Sequence, residues 1–382
     1  MARHRGIDKK QQIRAWDTRS IVIFVFFIAC VVGILTNLKV AKSEPEFEPE
    51  SEEKIVEQIL RLLHSIPNAT TSIPTQNCHF ASSEGIRSHQ EDRVTCDLNL
   101  KIPLFGPDGL EEVRVGAVAV FDGHIGSAAS EMASNIFLDK FLLKLRNSTE
   151  QSSNLKELLK SSLVTTIEDI DAEFSEVAFK YHLYSGSTAV VALIYNNHVL
   201  VANVGDSKAF LCSQKKKSHK AGAASLAGLL AKELTRDHNA HRLDERARIE
   251  ASGGVLKFIP NYVPLLMGHF PMTRAIGDVP LKRYGVIANP EMTDWLSLTS
   301  KDEFLVVASD GISERLTPQE VCDFLNDVED HSDPSLLAQQ LIQKAFLEGS
   351  SDNLSVVLVP LGSGFRGPPV DDLSAVSGSL EM

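Results

Sequence analysis

Apolar residues in this chain recur in two rhythms, and the switches between them mark its elements. Residues 114–121 form a nearly unbroken apolar run, the pattern of a strand buried on both faces, and it stops at Asp122-Gly123. Residues 188–194 and 198–203 flank Asn196-Asn197, a pair that tolerates the positive φ angles of a tight hairpin turn. Residues 304–308 and 354–359 are two further β-rich runs. Helical spacing fills the intervals. Behind Ser127, a suitable cap, Ala128, Met132, Ile136 and Phe137 share one helical face, and residues 155–179 keep the same period. Residues 239–252 read as a helix stopped by Gly253-Gly254. Thr317-Pro318-Gln319-Glu320 is a capping box with proline in the first turn, and Asp333-Pro334 opens a helix through Leu337, Leu341 and Ala345. Strands and helices come in clumps rather than in strict alternation. The pattern predicts an α+β layered domain rather than a doubly wound sheet.

One run follows neither rhythm. Residues 20–38 carry no charge, and a helix of this length rises roughly 30 Å, enough to cross a hydrocarbon core. Charged residues on both sides disfavour a core helix, and Lys39 and Lys42 stand where a signal-peptide cleavage site needs small residues. A permanent single-pass anchor is the expectation. Arg3, Arg5, Lys9, Lys10, Arg14 and Arg19 precede it, and Glu44, Glu46, Glu48, Glu50, Glu52 and Glu53 follow. The positive-inside rule keeps such a basic segment cytosolic and carries the rest across, a side that the sequons at Asn68 and Asn147 would suit. The opposite topology stays open. The expected order is a basic segment 1–19, the anchor 20–38, and an acidic linker 39–78 with a short helix at 55–64. A folded domain 79–361 and a disordered tail 362–382 complete it, and residues 215–232 read as an exposed insertion within the domain.

Of the 382 residues, 43% are hydrophobic and 23% charged, as in a globular protein, and the net charge of −12 argues against a nucleic-acid partner. Cys30 lies in the apolar run. Cys78, Cys96, Cys212 and Cys322 are scattered without Cys-x-x-Cys spacing, so neither a zinc site nor a disulfide framework is expected. None of the five is followed six residues later by arginine, which removes the thiolate route to phosphoester hydrolysis.

The chemistry gathers where strands give way to loops. Glu91-Asp92, Asp122, Asp206, Asp310 and Asp352 all sit at such junctions. One aspartate there is ordinary turn chemistry. Several, converging on one sheet edge, make an oxygen-only cluster suited to Mg²⁺ or Mn²⁺. Two such ions can polarise a phosphoester and supply hydroxide at neutral pH. Arg87 offers a planar, permanently charged fork for phosphate oxygens, and His124 a proton for the leaving alkoxide.

Seven segments occur in an order that resembles the type 2C, or PPM-type, metal-dependent serine/threonine protein phosphatases, in a plant-like, membrane-anchored form. They are Gly85 to Arg93; Phe121-Asp122-Gly123-His124 with Gly126; Ser185-Gly186-Ser187-Thr188-Ala189; Val204-Gly205-Asp206-Ser207; Thr273-Arg274-Ala275-Ile276-Gly277-Asp278; Ala308-Ser309-Asp310-Gly311; and Ser351-Asp352-Asn353. The resemblance implies a four-layer α-β-β-α sandwich with a dinuclear Mg²⁺ or Mn²⁺ site at one edge, and phosphorylated proteins as substrates of a monomer. It implies that Asp122, the Gly123 carbonyl, Asp310 and Asp352 touch the metals, and that Glu91 and Asp92 act through waters. Arg87 would bind phosphate, His124 would be the acid, and Asp206 would belong to a weaker third metal site. There are departures from the family pattern. Ser313-Glu314 replaces the usual Trp-Asp, which bears on the third metal, and Gln90 and Ile125 are also unusual. A catalytically impaired relative that binds phosphoproteins or kinases is the alternative, although no central carboxylate is missing. A serine hydrolase built on Gly205-Asp206-Ser207 would need a helix after the serine, whereas Ala209-Phe210-Leu211-Cys212 reads as a strand. No phosphate-binding loop of the nucleotide-binding kind is present.

Overall fold

A computed structural model describes residues 78–106, 109–148, 154–215, 228–328 and 333–362. The expected basic segment, anchor and short helix at 55–64, the tail beyond 362, and most of the insertion lie outside the described residues. Among the described residues, no helix is long and apolar enough to cross a membrane.

Two antiparallel sheets form the centre. One runs in the spatial order His79–Ser83, Leu354–Pro360, Asp302–Ala308, Lys208–Gln214, Leu229–Glu233. The other runs Glu291–Met292, His198–Val204, Ala189–Tyr195, Gly109–Phe121, Arg93–Gly106, and Leu296–Ser297 also pairs with His198–Val204. Side chains alternate across each strand, and here both faces find an apolar partner. In Gly109–Phe121, Val115, Ala117, Ala119 and Phe121 pack with helices Ala128–Ser148 and Leu155–Tyr181, whereas Val118 and Val120 face the other sheet. In Asp302–Ala308, Phe304, Val306 and Ala308 pack with helices Pro318–Asp327 and Pro334–Leu347, and Leu305 and Val307 turn inward. Three apolar interfaces therefore separate four layers, α-β-β-α. Burial on both faces explains why these strands read as unbroken apolar runs rather than as alternating ones.

The local signals correspond to the observed elements. Asn196 and Asn197 take φ of 45° and 58° and join Ala189–Tyr195 to His198–Val204. Both halves of the Thr317–Glu320 capping box form, and Asp333 accepts from the amides of Ser335 and Leu336. Ser207 is followed by strand Lys208–Gln214, and its hydroxyl is buried against Thr188 Oγ1 at 2.8 Å, which removes the serine-nucleophile reading.

Three expectations are corrected. The helix expected over 239–252 is Leu243–Ala251, because Asn239 pairs with Met272 and accepts from the His241 amide, which holds the preceding residues in a turn. Residues 229–232, expected within an exposed insertion, belong to the edge strand Leu229–Glu233 of a sheet. The four cysteines among the described residues form two disulfides. Cys78 bonds Cys96, and Cys212 bonds Cys322 across 110 residues, linking strand Lys208–Gln214 to helix Pro318–Asp327. Strand pairing and helix packing set those contacts, so short-range spacing carries no trace of them.

Candidate metal and phosphate site

Strand direction brings the acidic residues together. Gly109–Phe121 and His198–Val204 flank the same antiparallel neighbour, so they run parallel and both end on one side, delivering Asp122 and Asp206. In the other sheet Ala308 lies opposite Val356, which places Asp310, after one strand, beside Asp352, before the next. The two sheets meet there, where the Asp310 amide donates to Asp122 Oδ2 at 3.2 Å. Asp92 enters from the start of Arg93–Gly106, opposite Phe121, and is 3% exposed.

The electrostatics of this edge are unresolved by the protein itself. Both carboxylate oxygens of Asp92 are buried and lack a well-formed hydrogen bond among the described residues, with only the hydroxyls of Ser309 and Ser355 beside them. Burial pushes its pKa up to about 6, with the Asp352 charge adding to it, against the opposing pull of the Ser309 and Ser355 hydroxyls. Asp122 and Asp310 are held well above the usual carboxylate range by burial and by neighbouring aspartates, and Asp206 rises to about 6 through burial and Asp237. Carboxylates and a backbone carbonyl, without thiolate, make a donor set for a hard cation. Among the described residues, no three histidine, cysteine, aspartate or glutamate side chains close into a cage. An open edge is what Mg²⁺ uses, since it keeps several waters and takes only one or two carboxylates. The residues fit the ion.

Each remaining site residue has a defined place. A Cβ on Gly123 would overlap the Glu91 carbonyl oxygen, so glycine here lets the Glu91 loop close over the end of the strand. The Glu91 carboxylate accepts from the Gly126 amide at 3.0 Å, and its own amide donates to Asn353 Oδ1 at 2.8 Å. Asn353 also donates to the carbonyls of Glu84 and His89, so it ties the Arg87 loop to the Asp352 loop. Asn353 follows Asp352 in the last of the seven motifs, and neither its residue type nor its spacing marks this bracing role. Arg87 donates to Asp352 Oδ2 and to the Ser351 carbonyl, both at 2.8 Å, and half of its side chain is exposed. His124 bonds Asp278 at 2.7 Å and packs against Phe270. Burial lowers its pKa, yet the Asp278 charge and hydrogen bond outweigh that and raise it.

Two departures from the family pattern take on meaning. Glu314 accepts from the Ser351 amide at 2.9 Å, from the hydroxyls of Ser350 and Ser351, and from Arg315. It braces the loop that delivers Asp352. Ile125 sits at φ 56° and is 52% exposed, a left-handed conformation rare for a β-branched residue. Beside Asp206 and Asp310 opens a cleft of about 680 Å³, walled by Phe258, Ile259, Tyr262 and Val263.

The sequence pattern of the family described as "Protein phosphatase 2C" matches residues 77–354. The chain is similar to "Putative protein phosphatase 2C 76" of Oryza sativa subsp. japonica, with 38% identity over 373 residues, covering 76% of this chain and 74% of that one. It is 36% identical over 377 residues to "Probable protein phosphatase 2C 51" of Arabidopsis thaliana, covering 75% and 71%. The crystal structure of serine-threonine phosphatase 2C from Toxoplasma gondii has the same fold, with a TM-score of 0.59 at 22% identity over 77% of this chain and 98% of that one. A four-layer sandwich bearing an acidic edge, an arginine and a histidine has the parts of a phosphomonoester hydrolase. The chain belongs to the protein phosphatase 2C family, and is accordingly a protein serine/threonine phosphatase.

Proposed function

We propose that this phosphatase depends on Mg²⁺ or Mn²⁺ held by Asp122, the Gly123 carbonyl, Asp310 and Asp352. Asp92 and Glu91 act behind them, and Asp206 serves a weaker third position. The observation that carries the reading is the buried Asp92 carboxylate, which has no cation beside it and only the hydroxyls of Ser309 and Ser355 near it, among other aspartates at the meeting point of the sheets. When bound, such ions polarise the phosphoryl group and lower the pKa of water. The chain's own residues do the rest. Arg87 exchanges its bond to Asp352 for the substrate phosphate, whose two oxygens match its fork. His124 gives a proton to the serine or threonine oxygen, a poor leaving group without it. The phosphatase stripped of metal and kept in EDTA should not hydrolyse a phosphothreonine peptide, and added Mn²⁺ or Mg²⁺ should restore turnover. Full turnover by the stripped protein would contradict the reading.

The same proposal places residues 20–38 across a membrane, with the phosphatase domain on its oxidising side. The basic flank before the anchor supports that side, and so do the two disulfides, which persist in oxidising compartments and are rare in reducing ones. Alkylation of the unreduced, denatured full-length chain with a thiol-reactive polymer should then add to Cys30 alone. Addition at all five cysteines would place the domain on the reducing side.

A further inference from the structure

The motif Thr273 to Asp278 has been given no role of its own in the proposed reaction. Thr273 and Arg274 are accounted for by the buried Glu245, to which both donate. Asp278 is not. It is 2% exposed, and its carboxylate meets His124 Nε2 at 2.7 Å. Asp278 stands at the N-cap of the short helix Val279–Lys282, where an aspartate ordinarily accepts from helix amides, yet its side chain makes no capping bond. It also adopts φ 48°, a left-handed conformation that costs an aspartate free energy and persists only where surroundings enforce it. Those surroundings are built for the purpose. The Asp278 amide donates to the Ser185 carbonyl at 3.2 Å, and the Gly277 amide to Asp171 Oδ1 at 2.8 Å. A Cβ on Gly186 would overlap both Asp278 Oδ2 and His124 Nε2, so the glycine of the Ser185–Ala189 motif leaves room for this one bond. Phe270 packs against the ring of His124 at 5.6 Å between centroids.

We infer that Asp278 is the positioning residue of the histidine, holding Nε2–H so that Nδ1 is the nitrogen presented to the leaving group. The inference rests on His124 being the proton donor. A neighbouring carboxylate that fixes one ring nitrogen decides which task the other performs. As the P–O bond breaks, its electron pair stays on the seryl or threonyl oxygen, which takes the proton from Nδ1. Water provides the new oxygen on phosphorus, and its released proton returns the histidine to its starting state. Two motifs that lie 154 residues from one another in sequence thereby form one device.

The test compares full-length wild type, Asp278→Asn, His124→Ala and the double variant on a phosphothreonine peptide and on p-nitrophenyl phosphate, whose phenolate leaves without a proton. Asp278→Asn should lower kcat on the peptide by about 10–100-fold, a part of the roughly 10²–10⁴-fold that general acid catalysis supplies. KM should stay within about twofold, and the loss on p-nitrophenyl phosphate should be much smaller. The double variant should be no worse on the peptide than His124→Ala, because the two residues act as a unit. Equal losses of Asp278→Asn on both substrates, or additive losses in the double variant, would make Asp278 merely structural. Wild-type behaviour of Asp278→Asn beside an impaired, substrate-selective His124→Ala would overturn the inference and leave the acid standing. Equal losses on both substrates for His124→Ala itself would remove the acid and the inference together. Should Asp278→Asn fail to fold, Asp278→Glu displaces the carboxylate by one methylene and should show the same substrate-selective loss, only smaller. Wild-type kinetics there would overturn the inference.

Discussion

Buried carboxylates are treated in opposite ways in two parts of this molecule. Glu245, fully buried on helix Leu243–Ala251, accepts from Arg248 at 2.8 and 2.6 Å, from Arg274, and from Thr273 Oγ1 at 2.5 Å. Burial alone would raise its pKa, and these partners instead hold it far below the carboxylate range. The half-buried Glu291, which joins Arg236, Arg242 and His238, is held at about 2. At the acidic edge the shifts run the other way. Asp92, Asp122, Asp206 and Asp310 are all pushed upward, and Asp92 has no arginine or lysine partner, only the hydroxyls of Ser309 and Ser355 beside it. The same chain that surrounds one buried carboxylate with two arginines leaves the buried Asp92 and the half-buried Asp122, Asp206 and Asp310 facing one another. A fold that neutralises buried charge elsewhere points to this edge as the place where an external cation belongs.

The sharpest way to break the comparison is to neutralise a member of each group. Asp122→Asn and Asp310→Asn should each lower turnover of a phosphothreonine peptide by about a hundredfold or more, since a catalytic ion contributes several kcal/mol. Their melting temperature in EDTA should equal or exceed that of wild type, because a repelling charge has gone. Near-native rates in saturating Mn²⁺ would show that the ligands are wrongly assigned. Glu245→Gln should do the reverse and destabilise the domain by about 3–5 kcal/mol, because it strands Arg248 and Arg274. Chemical denaturation checks it, and wild-type stability would dissolve the contrast.

A smaller effect follows from His238. It is fully buried against Gly205 and Glu291, and burial, then the Arg274 charge, lowers its pKa from 6.5 to about 4. The folded state therefore favours the neutral ring. Its contribution to stability is fully present above about pH 6.5 and is lost as the pH falls toward 4, where the unfolded chain binds the extra proton. Stability measured across that window should decline more steeply in wild type than in His238→Gln, and parallel declines would show that this histidine titrates normally. The smallest effect is at Ile125. Replacing it by glycine should stabilise the domain by about 1 kcal/mol through relief of its left-handed backbone. A loss in denaturation experiments would mean that its half-exposed side chain has a partner of its own.

These contrasts also separate what the sequence makes legible from what it hides. The Asn196-Asn197 turn and the Thr317–Glu320 cap were readable because each is settled within four residues. The carboxylates at strand ends were readable because an acid after an apolar run has few other uses when repeated. The Cys212–Cys322 bond spans 110 residues and needs a strand and a helix to pack first, so spacing could not foretell it. Glu314 has the charge of a ligand and yet turns to Ser350 and Ser351, a choice made by the loop rather than by residue type. The start of the helix at Leu243 was missed because Asn239 prefers a bridge to Met272 over a helical turn. The partner of His124 is hidden by distance along the chain, since its motif and that of Asp278 lie 154 residues apart.

The central claim, that the unneutralised edge is a cation site, is tested most directly by Mn²⁺ binding, independent of turnover. Equilibrium dialysis of the full-length, metal-stripped protein should show saturable uptake of Mn²⁺ by wild type. Uptake should be sharply reduced in Asp122→Asn and Asp310→Asn and unchanged in Asp244→Asn, whose carboxylate pairs with Arg242 away from the edge. Equal binding by all four proteins, or none by wild type, would contradict the account.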